Sequence, residues 1–367
     1  MNRDPVPLDA VMTQRHLPAL DGLRAVAVFT VITYHFSSSV LVPGDLGVSA
    51  FFVLSGFLIT WLLMREIDET GRISLGAFYA RRTLRIFPAY YAYIIFALVI
   101  DTWRGHPWTH GLIGSAVVYG MNYYNALNNH PVTSVAHAWS LAVEEQFYLV
   151  WPLLFSVLWR RGRNTAALGL VVLIAAVLLW RSYLYLGHHV GSAYVYNAFD
   201  TRFDNLAVGC LLAVAIGYPW FTRAATAFAR WSWLPLITIA CLLVSRVGGG
   251  KMYHYGPGFT IDAILVAVLL VQLLQLSRTR LWSWLNHPVV RYLGVISYPL
   301  YLYHGWGLSV GEHVHGVPMA VQFVIGVAGC IALASGSYFV VERPFLSLKR
   351  RWEKIRTPEP SILSVGT

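Results

Sequence analysis

The sequence predicts an all-α polytopic membrane protein of about ten transmembrane helices, with one further re-entrant or interfacial segment. Three observations carry that expectation. Of 367 residues, 57% are hydrophobic and 12% are charged, whereas a soluble domain carries about 25% charge; mean hydropathy is +0.56. Apolar runs of about 17 residues or more recur along the whole chain, long enough for a helix to cross most of a hydrocarbon layer. The basic residues sit in short clusters between those runs, as membrane topology requires. That distribution also removes nucleic acid as the explanation of the net charge of +10.

The first span is read over 21–41, within "LDGLRAVAVFTVITYHF". Arg24 and His35 lie eleven positions apart. At about 100° per residue they share a face, separated by about 16 Å along the axis. Ionisable groups inside a membrane mark pathways or chemistry by default, and imidazole suits general-base work near neutral pH. An interface arginine paired with Asp21, and an interior histidine bonded to a neighbouring helix, are the structural alternatives.

The second and third spans are read over 46–65 and 86–103, the third entered by "RRTLRIFPAYY". Arg82 and Arg85 are one turn apart, so both guanidinium groups can face one phosphate or pyrophosphate. Arg81 is read as a membrane anchor. The stretch 108–124 is apolar and aromatic but short. The fourth span, 139–159, opens with "HAWSLAVEEQFYLVWP". Ser140, Glu144 and Tyr148 share one face there, and Glu145 points about 100° away. One of the adjacent carboxylates is expected to face a polar interior holding a histidine or arginine.

The remaining spans are read over 165–186, 203–218, 231–247, 259–276, 292–310 and 319–341. Arg202 stands between Asp200 and Asp204 at the mouth of the sixth, where local pairing would account for it. "GVISYPLYLYHG" places Tyr298, Tyr301 and His304 in the ninth, and Glu342 ends the tenth. Cys210, Cys241 and Cys330 fall in apolar stretches with neither disulfide nor metal spacing. His188, His189, His313 and His315 are read as interfacial residues, and no metal site is expected.

Placing the arginine clusters at 65–85, 160–163, 223–230, 278–291 and the "LKRRWEKIR" tail in the cytoplasm joins the third and fourth spans on the outside. The segment 108–124 then cannot cross completely and is expected to line a cavity. Under this reading all Lys and Arg except Arg104, Arg181, Arg202, Arg246 and Lys251 face the cytoplasm, as do both termini. The expected organisation is an integral domain over 1–345 and a basic tail over 346–367, with no appended soluble domain and no cleaved signal.

Seven motifs together resemble the membrane-bound acyltransferase-3 family: "LDGLRAVAVFTVITYHF", "GVSAFFVLSGFLIT", "RRTLRIFPAYY", "HAWSLAVEEQFYLVWP", "TRFDNLAVG", "ISYPLYLYH" and "VERPF". They occur in family order over residues 20–345. The resemblance implies a ten-span bundle of the bacterial inner membrane that uses cytoplasmic acyl-CoA, usually acetyl-CoA, as co-substrate with no resident cofactor. The acceptor it implies is a hydroxyl of a glycan, a lipid-linked sugar such as a lipo-oligosaccharide, a surface polysaccharide, or a macrolide-type small molecule. It matches the family's Arg-x10-His pair to Arg24 and His35, its Arg-x-x-Arg pair to Arg82 and Arg85, and its glutamate to Glu144. Many members carry an acidic residue where this chain has Ser49.

The expected mechanism follows from the resemblance and the spacing. Arg82 and Arg85, helped by Arg24, hold the CoA phosphates. His35 takes the proton of the acceptor hydroxyl as it attacks the thioester, with Glu144 orienting the imidazole; direct transfer and a covalent acyl-histidine intermediate both fit the sequence. Trp139, Ser140, Arg202, Asp204, Tyr298 and His304 are expected on the substrate side. A transporter or flippase of a lipid-linked sugar is the competing reading; the chain lacks the internal repeat that such folds commonly show.

Overall fold

In the computed structural model residues 4–14, 17–37 and 44–354 are described, with side chains through Leu348. Residues 38–41 of the first predicted span and 355–367 of the predicted tail lie outside the described residues. Among those described, every regular element is helical. The principal helices are α1 (Pro18–Ser37), α2 (Gly44–Thr70), α3 (Leu75–Trp103), α4 (Trp139–Arg160) and α5 (Arg163–Ser182). They continue with α6 (Asp204–Ile216), α7 (Leu234–Gly248), α8 (Phe259–Leu276), α9 (Ser297–Glu312) and α10 (Met319–Ser337). Each of the ten predicted spans overlaps one of them, the first only through Ser37 and the ninth only from Ser297.

Among the described residues six helices are long and apolar enough to cross a membrane, or up to seven if the bent pair Asp204–Ile216 and Pro219–Phe228 is one span. The count falls below ten for physical reasons visible in the sequence. Asp21, Arg24 and His35 dilute the apolar character of α1. The predicted ninth span breaks at Ile296 into Pro288–Val295 and Ser297–Glu312. Helix α7 has 15 residues, about 22 Å at 1.5 Å per residue.

Helix α2 is the hub. A Cβ added at Gly56 would lie 2.0 Å from the Leu206 carbonyl oxygen, and one at Gly209 would lie 2.1 Å from that of Val53. Helices α2 and α6 therefore meet backbone to backbone, as small residues permit in lipid, where helix association depends on close packing. Ser49 belongs to the same seam, 3.1 Å from the Asn205 side chain.

The segment 108–124 is not one continuous helix. It forms two short helices, His110–Val117 and Met121–Leu127, separated by a turn in which Tyr119 adopts φ 55°. Each is about 10–12 Å long, well short of a bilayer. The Tyr90 and Tyr91 hydroxyls of α3 donate to the carbonyls of Ala116 (2.8 Å) and Val117 (2.9 Å), holding the turn against the bundle. Helix α10 runs on through a wide turn, Tyr338–Glu342, into Arg343–Lys354, so the chain passes residue 345 without leaving helix.

Candidate functional site

Two cavities open into the bundle. The larger, about 900 Å³, is lined by His35, His137 and His304 together with aromatic side chains that include Trp139, Tyr196 and Trp306. The smaller, about 510 Å³, is lined by Arg24, Arg82 and Arg85 together with Ser140, Glu144, Tyr298 and Glu342. Val48 and Tyr301 belong to the walls of both.

The histidine cavity is built by α1, α9 and the turn Ala136–Ala138 that leads into α4. The His35 and His304 rings lie 4.6 Å apart edge to face, and His304 lies 4.9 Å from His137. His35 Nδ1 is 2.9 Å from the Val31 carbonyl oxygen, one turn back on its own helix. A backbone carbonyl only accepts, so Nδ1 carries the proton and Nε2 keeps its lone pair. His304 Nδ1 is fixed in the same way by the Tyr301 carbonyl at 2.6 Å. The His35 ring is thus a pre-oriented acceptor of protons, set by the helix itself. Nε2 of His137 is buried without a hydrogen-bond partner. No group of three metal-ligating side chains among the described residues could hold a metal ion.

The arginine cavity is chemically different. Arg82 and Arg85 sit one turn apart on α3, and neither guanidinium meets a carboxylate or carbonyl within hydrogen-bond range among the described residues. The Arg82 Nε is buried and unpartnered, and its guanidinium carbon lies 4.0 Å from the centre of the Tyr148 ring. Tyr148 in turn donates to Glu144 at 2.9 Å, and Ser55 donates to the other carboxylate oxygen at 3.2 Å. Arg24 pairs with Asp21 at 3.4 Å, while its charge is felt by Arg85. Three guanidinium groups around one cavity, two of them without a protein acceptor, suit an anionic ligand. Arg81 does not share this cavity and pairs with Glu66 at 3.1 Å.

Several expectations are corrected. Glu144 does not orient His35; it lines the arginine cavity and accepts from Ser55 and Tyr148. Arg202 and Asp204 line neither cavity. Asp204 is fully buried and pairs with Arg181 at 2.9 Å, with Thr260 also donating to it. Arg202 therefore lacks its expected local partner. All three of its guanidinium nitrogens are buried without hydrogen bonds, and the group sits between Phe259 (3.7 Å), Tyr196 (5.4 Å), Trp139 (5.5 Å) and Phe52 (5.8 Å). It packs behind Trp139 and Tyr196, which line the histidine cavity. Asp200 accepts from the Trp180 indole at 2.8 Å instead.

Trp139 and His304 do line the histidine cavity, and Ser140 and Tyr298 the arginine cavity. Sequence reading missed His137, although it opens the "HAWSL" motif, because it precedes the span and is turned inward only by the Ala136–Ala138 turn. It also missed the buried pairs that Arg246 makes with Asp45 (2.8 Å) and Asp262 (2.6 Å) beside the cavity. Nothing in their spacing, 201 residues in one case, joins them.

Residues 17–339 match a family model described as an acyltransferase domain. A Listeria monocytogenes peptidoglycan O-acetyltransferase is 30% identical, over 90% of this chain and 56% of its own length. A Staphylococcus aureus protein (strain COL) named as a candidate O-acetyltransferase is 31% identical, over 90% of this chain and 57% of its own. A candidate peptidoglycan O-acetyltransferase of Bacillus subtilis is 31% identical, over 92% of this chain and 57% of its own. The chain thus spans a little over half the length of these relatives. No solved structure matches it.

Proposed function

The chain belongs to the acyltransferase-3 family, and on that premise we propose that it moves an acyl group, acetyl in the simplest case, from cytoplasmic acyl-CoA to a carbohydrate hydroxyl. The observation that carries the proposal is the pairing of the two cavities. One presents unpartnered guanidinium groups and the other a histidine with a free Nε2, and Val48 and Tyr301 line both.

Arg82 and Arg85, with Arg24, bind the CoA phosphates, and the pantetheine arm extends toward that shared wall. The acceptor occupies the aromatic-walled histidine cavity. His35 Nε2 takes the hydroxyl proton as the oxygen attacks the thioester carbonyl. The C–O bond forms, the C–S bond breaks, and the thiolate leaves with a proton returned from the imidazolium. Glu144 acts on the donor side, holding Tyr148 beneath Arg82. Ten crossings would take in α1, whose Arg24 and His35 line the two cavities, and the shorter α6, α7 and α9. With the termini in the cytoplasm of a bacterial inner membrane, the arginine cavity faces the CoA pool.

Because two relatives are named for peptidoglycan, a cell-wall glycan is the first acceptor to test, ahead of a lipo-oligosaccharide, a surface polysaccharide or a glycolipid. Membranes containing the protein and host envelope glycans are incubated with acetyl-labelled acetyl-CoA. Label in an alkali-labile ester of the glycan supports the reading. Full retention of that label in both His35→Ala and Arg85→Ala membranes contradicts it.

A further inference from the structure

We infer that Asp45 is the anchor of the acceptor in the histidine cavity, a fixed carboxylate that takes one hydroxyl of an uncharged sugar while another hydroxyl reaches His35. The inference rests on the acyl-transfer reading above and names the residue that orients the acceptor and the charge class it selects.

Asp45 stands in the first turn of α2 and lines the same cavity as His35. One of its oxygens is held from behind. The buried Arg246 of α7 lies 2.8 Å from Oδ2 and, on its other side, 2.6 Å from Asp262 of α8. Arg246 also donates to Nδ1 of His254. A guanidinium only donates, so that Nδ1 is unprotonated and the imidazole is neutral, with its proton on Nε2, 3.5 Å from the same Oδ2. Among the described residues none bonds the other oxygen, Oδ1, which is left for a donor in the cavity.

Backbone packing sets the relation of anchor to base. An added Cβ at Gly44 would lie 2.7 Å from the Tyr34 Cβ, and one at Gly47 would lie 2.5 Å from the Ala27 carbonyl oxygen. Asp45 lies between these two contacts of α2 with α1, and His35 follows Tyr34. Anchor and base are thus carried on one closely packed helix pair.

Charge decides what the anchor can take. Behind this wall the guanidinium carbons of Arg202 and Arg246 lie 3.7 Å and 5.3 Å from the Phe259 ring centre. Asp45 and Asp262 balance those two cations, and Arg181 and Asp204 cancel each other. Arg104, the other arginine that lines the cavity, lies over Trp306 on the α9 side. With His254 neutral, the Asp45 wall carries no net charge. An ammonium would face two guanidinium groups, and an anion would face the Asp45 carboxylate. A neutral polyol meets neither penalty: its O–H donates to Oδ1, which as a carboxylate oxygen only accepts, and its C–H face lies on Tyr196 and Tyr255 of the same cavity.

The test measures acetyl transfer to host envelope glycans by the protein, Asp45→Asn and Asp262→Asn. In Asp45→Asn the amide oxygen stays with Arg246, so the NH2 faces the cavity and a donor replaces the acceptor. The KM for the glycan rises about 10–100-fold, as for the loss of a hydrogen bond to a charged group, while the KM for acetyl-CoA is unchanged. Asp262 belongs to the same cluster but does not line the cavity; Asp262→Asn leaves Arg246 its Asp45 partner and leaves the glycan KM unchanged. An unaltered glycan KM in Asp45→Asn, or an equal rise in both variants, overturns the anchor and leaves acyl transfer intact. A second measurement uses the unaltered protein and does not depend on how a variant folds. The uncharged tetramer of N-acetylglucosamine, added as competitor, suppresses labelling of the envelope glycan more strongly than the cationic tetramer of glucosamine. The reverse order, or no competition by the uncharged tetramer, overturns the charge class. Absence of transfer from acetyl-CoA by the unaltered protein overturns the acyl-transfer reading, and the anchor with it.

Discussion

Replacing Arg181 by methionine tests how the polar interior is held together. Both Arg181 and Asp204 are fully buried, and Arg181 donates to Asp204 (2.9 Å), the Thr201 carbonyl (2.8 Å) and the Gly256 carbonyl (2.8 Å). Arg181→Met leaves the Asp204 carboxylate with the Thr260 hydroxyl and the neutral Asn205 amide as its remaining donors. Breaking a buried pair from one side costs about 3–5 kcal/mol, because the other charge stays without compensation. Two carbonyls also lose their donor, each worth up to about 1–3 kcal/mol if water cannot reach it. A destabilisation of about 3–5 kcal/mol is therefore the conservative expectation for the single variant. The double variant Arg181→Met/Asp204→Leu removes both charges and replaces them with apolar volume, so its cost falls below the sum of the singles by at least about 2 kcal/mol. Unfolding in detergent, followed by fluorescence of the 14 tryptophans, measures all three. Strict additivity, or an Arg181→Met cost within about 1 kcal/mol of zero, refutes the reasoning.

Other consequences follow from the same geometry. Arg202→Met removes a buried charge that has no hydrogen-bond partner, so it costs less than about 1 kcal/mol or stabilises; a loss above about 2 kcal/mol in the same assay contradicts this. Arg85→Ala raises the Kd for CoA by about 10–100-fold through loss of one charge-assisted contact, measured by calorimetry in micelles, and unchanged affinity removes Arg85 from the donor site. Glu144→Ala frees Tyr148 and with it Arg82, raising KM for acyl-CoA with a smaller change in kcat, whereas Glu144→Gln, which still accepts from Tyr148, is milder. A loss confined to kcat would return Glu144 to the side of the base.

Much of this architecture was legible in the sequence, and the limits of that legibility have a common cause. Helix positions followed from apolar runs, and the joint placement of Arg82 and Arg85 followed from their spacing on one helix. That 108–124 forms no helix of membrane length agrees with the shortness of its apolar stretch. Relationships between helices were not legible. Glu144 meets Ser55 of α2 instead of His35 because the rotation of α4 against α1 and α2 decides its neighbours on other helices. Arg202 stands beside Asp204 in sequence, yet Arg181, 23 residues away, takes the carboxylate from another helix. His137 enters the cavity through one turn of backbone that no periodicity announces.

The central claim is that His35 performs the proton transfer while the arginine cavity binds the donor independently. The measurement that meets it most directly is kcat for acetyl transfer by His35→Ala, set beside its Kd for acetyl-CoA. The account predicts a fall in kcat of about 10²–10⁴-fold with donor affinity within about threefold of the unaltered protein. Undiminished turnover in His35→Ala, or loss of donor binding in step with turnover, would contradict it.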